Sequence, residues 1–227
     1  MQEQIKQRVW ALKQILASGN GFGEPVTLVA AIKMQTVEAV NAAIEGGVDA
    51  IAENKPQDFR DKNHLLSPCP RHFIGHLQTN KVKYLVGSVE LFHSCDRDDL
   101  ANEIAKQSLK QGIVSNVLIQ INIGNENTKG GYAFVDAQTV YARLSQMDGI
   151  RVNGFMAMLP DTDDEMLLRR LAKQMRGLFE WGKAQSSDVK FLSMGMSGDY
   201  VLCIEEGSNM IRVGSTIFGA RDYTAKV

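Results

Sequence analysis

Eight short apolar segments, separated by stretches with helical periodicity, constrain the fold of this 227-residue chain more than any other feature of its sequence. The first, at 26–32, is apolar at consecutive positions instead of at every second one. A strand with this pattern is buried on both faces, as in a parallel sheet covered by helices. The other segments are 49–52, 71–75, 90–94, 116–123, 150–158, 190–194 and 210–213.

Strands that alternate with helices imply a parallel α/β sheet, which closes as a (β/α)8 barrel or stays open as a doubly wound sheet. The count of eight favours the barrel. The Gly-rich loop at 17–25 precedes the first strand, so the chain lacks the first turn of a dinucleotide-binding fold. We therefore predict a single-domain TIM barrel over residues 1–227, with an extra N-terminal helix. The apolar face of that helix carries Ile5, Val9, Leu12 and Leu16.

Composition excludes several classes of protein. Lys and Arg number 25 against 26 Asp and Glu, which gives no electrostatic reason to expect nucleic acid or an anionic membrane as a partner. Cys69, Cys95 and Cys203 are widely spaced and form no C-x-x-C pair, so we expect reduced thiols in a cytoplasmic protein. The first residues are charged and contain no long apolar stretch, which predicts neither a signal peptide nor an anchor.

Functional residues of a barrel lie where its strands end. Lys33 ends the first apolar run, where a partly desolvated amine becomes a nucleophile toward carbonyl groups. Taken alone, the position of Lys33 is more typical of a strand-end lysine whose charged group reaches water than of a nucleophile. His72 and His76 share the face of the third strand, with no Cys or carboxylate beside them there, so we expect orienting histidines and no metal site.

The loops after the last two strands combine glycine with hydroxyl groups. Barrels often bind phosphate with these two loops, because glycine lets backbone N–H groups approach an anion closely. Either loop alone is equally an ordinary turn with a serine helix cap, but both together favour a phosphate site. The residues are Gly195, Ser197 and Gly198 in one loop and Gly214, Ser215 and Thr216 in the other.

Arg212 has the same strand parity as Gly214, so both face the mouth of the barrel if either does. An arginine inside a barrel needs an acceptor, which is either a carboxylate in a structural ion pair or a ligand. A lysine nucleophile opposite an anion site indicates a ligand with an aldehyde and a phosphate. Pyridoxal 5′-phosphate (PLP), held as a Schiff base on Lys33, satisfies this, and so does a sugar phosphate in an aldolase.

Several motifs resemble those of the pyridoxal phosphate homeostasis family (the YggS/PROSC family), which is similar to the barrel half of alanine racemases. The resemblance spans about residues 1–223 and implies a fold-type III PLP barrel. Its motifs are Leu-Val-Ala-Ala-Ile-Lys33, Glu53-Asn54, His72-Phe-Ile-Gly-His76-Leu-Gln78 with Asn80-Lys81, His93-Ser94 with Asp96-Arg97, Ser193-Met-Gly-Met-Ser197 with Asp199, and the stretch from Ile211 to Gly219 with Arg221.

The resemblance implies a role for each site residue. Lys33 forms the Schiff base; Arg212 lies near the pyridine nitrogen and Asn54 near the ring hydroxyl. The phosphate is bound by Ser197, Gly214 and Ser215. We add His76 and Met194 to the predicted cofactor-binding set and assign no catalytic residue. The resemblance further implies a cofactor carrier or regulator without established turnover. We expect PLP and PLP-dependent apoenzymes as its partners, and a monomer.

Four positions depart from the family pattern, namely Ile32, Ala52, Lys55 and Arg71. The rival function is an amino-acid racemase, which in this fold needs a tyrosine from a following β domain. The sequence ends at Val227, so we do not expect that domain, and only residue type makes tyrosines such as Tyr132, Tyr200 and Tyr223 candidates. A Schiff-base aldolase would place its lysine later in the barrel among carboxylates, and Glu53 alone gives little support.

Overall fold

The eight predicted strands form and close into a parallel barrel. The computed structural model describes residues 1–126 and 128–219. The strands are β1 (Thr27–Ala31), β2 (Ala50–Glu53), β3 (Arg71–Phe73), β4 (Leu91–Cys95), β5 (Ser115–Asn122), β6 (Tyr132–Ala133), β7 (Ile150–Ala157), β8 (Phe191–Ser193) and β9 (Met210–Val213). Around the ring the order is β1, β2, β3, β4, β5, β7, β8 and β9, and β9 pairs with β1. The two-residue β6 pairs with β5 outside the ring.

Helices surround the barrel, as the strand–helix alternation predicts. They are α1 (Gln2–Leu16), α2 (Val37–Glu45), α3 (Pro56–Lys62), α4 (Asp98–Lys110), α5 (Ala137–Leu144), α6 (Glu165–Gln185), α7 (Tyr200–Glu205) and α8 (Ser215–Phe218). The predicted apolar face of α1 is buried and packs in one cluster with α2. After β3, where we predict a helix near 80–86, the chain forms a 3₁₀ helix, Thr79–Tyr84.

Strand parity divides the side chains into two layers. The interior holds a small apolar cluster that includes Val29, Ala52 and Met210. Side chains of the opposite parity, such as Leu28 and Ile211, pack under the helices. Because successive strand residues point to opposite faces, each interior row continues upward to the mouth of the barrel.

Five predicted strands, those ending at 32, 75, 123, 158 and 194, run one or two residues past the observed ends, and two of these differences affect predicted site residues. We predict β3 through Gly75, but it ends at Phe73, so His76 lies in the following loop and does not share a strand face with His72. We predict the strand at 190–194, but β8 ends at Ser193. Strand ends depend on the backbone pairing of the neighbouring strand, which apolar periodicity does not report.

Gly154 allows β7 to lie between its neighbours. The register of β5 against β7 shifts between Val117 and Leu118. Gly154 lies opposite this shift with φ +140°, and a Cβ there would be 1.9 Å from the carbonyl oxygen of Phe191 in β8. A side chain would therefore force two paired strands apart.

We predict that Gly154→Ala lowers the free energy of unfolding by about 3 kcal/mol or more, because the new methyl group meets backbone and the φ angle is strained for alanine. Gly177→Ala is the matched control, since Gly177 lies on the exposed face of α6 with nothing within 4 Å of its Cβ position. It should stabilise the fold by about 0.5–1 kcal/mol. Urea unfolding midpoints measure both; equal shifts for the two variants would contradict the prediction.

Candidate functional site

A cleft of about 660 Å³ opens where the strands end, on the side of β1, β2, β7 and β9. It is formed by Ala31, Lys33, Asn54, Ile74, Met156, Met158, Met196, Ser197, Gly198, Arg212, Gly214 and Ser215. Several continue the interior rows of the barrel, since Ala31 follows Val29 and Asn54 follows Ala52 at the same parity. The cleft is therefore the upper end of the barrel interior.

Six of the eight predicted site residues meet at this cleft. They are Lys33, Asn54, Ser197, Arg212, Gly214 and Ser215. Met194 does not line it: the parity of β8 turns Ser193 inward and Met194 outward, where it is fully buried in the large cluster under the helices. His76 is also absent from the lining, because β3 has already ended. The His76 ring is exposed, and its Nδ1 is 3.1 Å from a carboxylate oxygen of Asp96.

Lys33 occupies the second position of a tight turn. The amide of Gln35 donates to the carbonyl of Ile32 at 3.0 Å, which closes the turn. Met34, the third residue, has φ +63°, a conformation that turns of type II normally assign to glycine. Lys33 is half-buried, and its side chain lines the cleft.

The cleft is cationic. Lys33 and Arg212 both line it, whereas the lining residues that the structure describes include no Asp or Glu. The ion pair that we weighed for Arg212 does not form with any carboxylate in residues 1–126 or 128–219. Two cations that pair with no carboxylate of the described residues, in a chain of net charge −1, favour an anionic ligand.

Arg212 is held by neutral oxygen atoms. Its guanidinium donates to Ser193 Oγ at 2.7 Å and to the carbonyl of Ala157 at 3.0 Å. The residue is only 5% exposed, and burial lowers the pKa of Arg212 to about 10, so it remains a cation at neutral pH. Two hydrogen bonds leave part of the five-donor guanidinium available to a ligand.

A buried polar chain lies below Arg212. Ser193 Oγ is 3.0 Å from Nδ1 of His93, and Nε2 of His93 is 3.0 Å from Nδ1 of His72. Burial lowers the pKa of His72 to about 4. Burial, together with His72 and Arg212, holds the pKa of His93 well below its usual range. Both imidazoles are therefore neutral near pH 7.

No sequence pattern indicated this chain. We predict His93 and Ser193 near the ends of the segments 90–94 and 190–194, but both side chains are fully buried in the barrel. One signal was available, because His72, His93, Ser193 and Arg212 all have the inward parity of their strands. Their contact joins residues 100 positions apart, which no local pattern reports.

The last two loops meet through Ser197. Its Oγ accepts hydrogen bonds from the amides of Gly214 at 3.2 Å and Thr216 at 3.4 Å. Gly195 has φ +106°, which lets the first loop turn toward the second. The amides of Ser197, Gly198 and Ser215 donate to no acceptor among the described residues. Three free donors beside two cations can receive an anion.

Asn54 is fixed from two sides. Glu53 is 1% exposed, and its Oε1 accepts from the amide of Asn54 at 2.7 Å. Gly75 lies so near that a Cβ there would be 2.0 Å from the carbonyl oxygen of Asn54. Burial raises the pKa of the Glu53 carboxyl group. Asn54 lines the cleft, and these contacts hold its backbone in place.

The four family departures lie off the cleft lining. Ile32 and Ala52 are buried among apolar side chains. Lys55 is exposed, and Arg71 donates to Asn63 at 2.7 Å and to nearby carbonyls. Arg221 and Tyr223, which the sequence analysis also names, lie outside the described residues.

Within the described residues, no group of three His, Cys, Asp or Glu side chains is arranged to hold a metal ion. The search for a membrane-spanning helix covered the same residues and found none that is both long and apolar enough. The fold and the site thus define a (β/α)8-barrel protein with a cationic cleft at the carboxyl ends of its strands.

Comparisons place this barrel among known proteins. A profile of the alanine racemase N-terminal domain matches residues 3–222. A pyridoxal phosphate homeostasis protein of Aquifex aeolicus is 37% identical over 86% of this chain and 87% of its own length. A crystal structure of an unknown protein from Bifidobacterium adolescentis is 30% identical with a TM-score of 0.89, over 96% and 95% of the two chains. PipY of Synechococcus elongatus, solved with PLP bound, is 26% identical with a TM-score of 0.82, over 95% and 100%.

This chain belongs to the pyridoxal phosphate homeostasis protein family, which shares the alanine racemase N-terminal domain. The family membership and the barrel confirm the resemblance seen in the sequence.

The two buried histidines predict loss of stability in mild acid. In the unfolded chain a histidine takes up a proton below about pH 6.5, whereas His72 in the fold stays neutral down to about pH 4. The unfolded state therefore binds more protons in this range. The free energy of unfolding should fall by about 1.4 kcal/mol per pH unit for each such histidine between these values.

Urea unfolding at about pH 7 and about pH 5 tests this effect. His72→Gln should lessen the loss between the two pH values, whatever its effect at neutral pH. His64→Gln is the matched control, because His64 is exposed. The same pH dependence in wild type and His72→Gln would contradict the prediction.

Proposed function

We propose that this protein binds PLP in the cleft, with Lys33 as its covalent attachment point, and serves cytoplasmic PLP homeostasis. The observation that carries the proposal is the cleft itself. In it a lysine, a buried arginine that pairs with no carboxylate of the described residues, and two loops with free amides face one space. The name of the Aquifex relative and the PLP bound to PipY support the same ligand.

The residues present fit the chemical groups of PLP. When bound, the cofactor supplies an aldehyde conjugated to a pyridine ring. The amine of Lys33 condenses with that aldehyde, forming one C=N bond and releasing one water. The free amides around Ser197 and Ser215 donate hydrogen bonds to the phosphate oxygens, and the hydroxyl groups of both residues add donors.

The remaining cleft residues orient the ring. Arg212 offers N–H donors to the ring nitrogen, and a cation there disfavours protonation of that nitrogen. This weakens the ring as an electron sink. Asn54 offers its amide to the ring hydroxyl, and Met156 and Met158 offer apolar contact. We assign no direct contact to His76 or Met194, which lie off the lining.

A carrier fits the cleft better than a racemase. Racemisation needs two acid/base groups on opposite faces of the substrate. Lys33 is one such group, but no tyrosine of the described residues lines the cleft. Tyr132 donates to Asp98 at 2.8 Å, and burial raises its pKa. We propose that the protein holds PLP without turnover, as one domain over residues 1–227 that acts as a monomer and passes the cofactor to PLP-dependent apoenzymes.

We predict that the purified protein mixed with PLP turns yellow and that borohydride fixes the cofactor to Lys33. Lys33→Ala should abolish both the visible band and the fixed adduct, because no other lining residue in the described part of the chain carries a primary amine. Lys55→Ala is the matched control, since Lys55 is an exposed lysine off the lining. Absorbance spectra and peptide mass mapping measure the result. A wild-type protein that stays colourless with PLP would overturn the proposal.

A second prediction separates carrier from racemase. The PLP-loaded protein incubated with L-alanine should produce no D-alanine, because the lining residues that the structure describes offer Lys33 as an acid/base group and no tyrosine beside it. Chiral chromatography measures the product, with an authentic alanine racemase as the positive control. Formation of D-alanine at enzyme-like rates, lost in Lys33→Ala, would assign the protein to the racemases.

A further inference from the structure

The chain of buried polar groups beneath Arg212 has a direction. A guanidinium can only donate hydrogen bonds, so Ser193 Oγ accepts from Arg212. The hydroxyl hydrogen of Ser193 must then go to another acceptor, and Nδ1 of His93 at 3.0 Å is the neighbour that can receive it. His93 therefore carries its own proton on Nε2.

The same logic extends to His72. With its proton on Nε2, His93 donates to Nδ1 of His72 at 3.0 Å. His72 then carries its proton on Nε2 as well. The opposite direction would leave the Ser193 hydroxyl hydrogen without an acceptor inside the barrel, where an unmade hydrogen bond is costly.

Few other groups hold Arg212 in place. Besides Ser193, only the carbonyl of Ala157 accepts from Arg212 within the described part of the chain. The interior cluster around it is apolar. A guanidinium that is 5% exposed and has no carboxylate partner depends on such neutral acceptors for its orientation.

We propose that His72, His93 and Ser193 form a one-way hydrogen-bond chain that positions Arg212, so that its unused N–H donors point into the cleft. The three are positioning residues, since none of them lines the cleft. The effect of this chain on ligand binding rests on the proposed function, whereas the direction of the chain does not.

The direction is tested on the cofactor-free protein. Nitrogen-15 NMR of the imidazole rings distinguishes the two neutral forms of histidine, and His72→Gln and His93→Asn assign the two buried signals. We expect both rings to be neutral near pH 7, with the proton on Nε2. The exposed His64 serves as the reference for a solvent-accessible ring. A proton on Nδ1 of His93 would overturn the proposal.

The positioning effect is tested by PLP affinity. Ser193→Ala removes the acceptor of Arg212 and should raise the dissociation constant about tenfold. His93→Leu should do the same, because the Ser193 hydroxyl then loses its acceptor. His93→Asn should stay within about twofold of wild type, since its amide oxygen can still accept from Ser193. Thermal unfolding confirms that each variant is folded.

The two proposals fail separately. If wild type binds no PLP, the proposed function fails and the NMR result still decides the direction of the chain. If wild type binds PLP and the folded Ser193→Ala binds it equally tightly, the positioning role is wrong and the proposed function stands. Equal weakening by His93→Asn and His93→Leu, with both variants folded, would also overturn the positioning role.

Discussion

Closure of the barrel is the constraint on which the rest of this molecule depends. The parallel pairing of β4 with β5, and of β9 with β1, leaves no open edge in the ring. Every strand side chain must therefore face either the interior or the helices. Short side chains such as Ala50 and Ala52 fill the lower interior, and the same rows deliver Asn54 and Arg212 to the mouth.

A closed interior makes a buried cation costly unless its donors are satisfied. Arg212 donates to a serine hydroxyl and a carbonyl, and to no carboxylate of the described residues. Two neutral histidines lie behind the serine. A carboxylate would neutralise the guanidinium and compete with an anionic ligand. Neutral acceptors orient the cation and leave its charge to the cleft, where Lys33 and the amides of the last two loops add to it.

The same residues bear on the choice between the proposed carrier and a racemase. One amine, one cation and one group of amides are enough to hold a phosphorylated aldehyde. Racemisation needs a second proton-transfer group on the opposite face of the substrate, and the described lining residues include methionines and small residues but no tyrosine.

The sequence by itself determined the barrel, because apolar runs on both parities alternate with helical periodicity. It also indicated six residues that line the cleft: strand ends, parity and the glycine-rich loops point to five of them, and the family resemblance adds Asn54. It could not place His76, since the end of β3 depends on the pairing of that strand with its neighbours. It also put Met194 at the cleft, although the side chain of Met194 points outward, under the helices.

Only the tertiary structure decided the contact of His93 with Ser193, 100 residues apart, and with it how Arg212 is held. Local patterns report which face a side chain takes. Which two inward side chains meet depends on the register around the closed ring, and that register is fixed by all eight strands together.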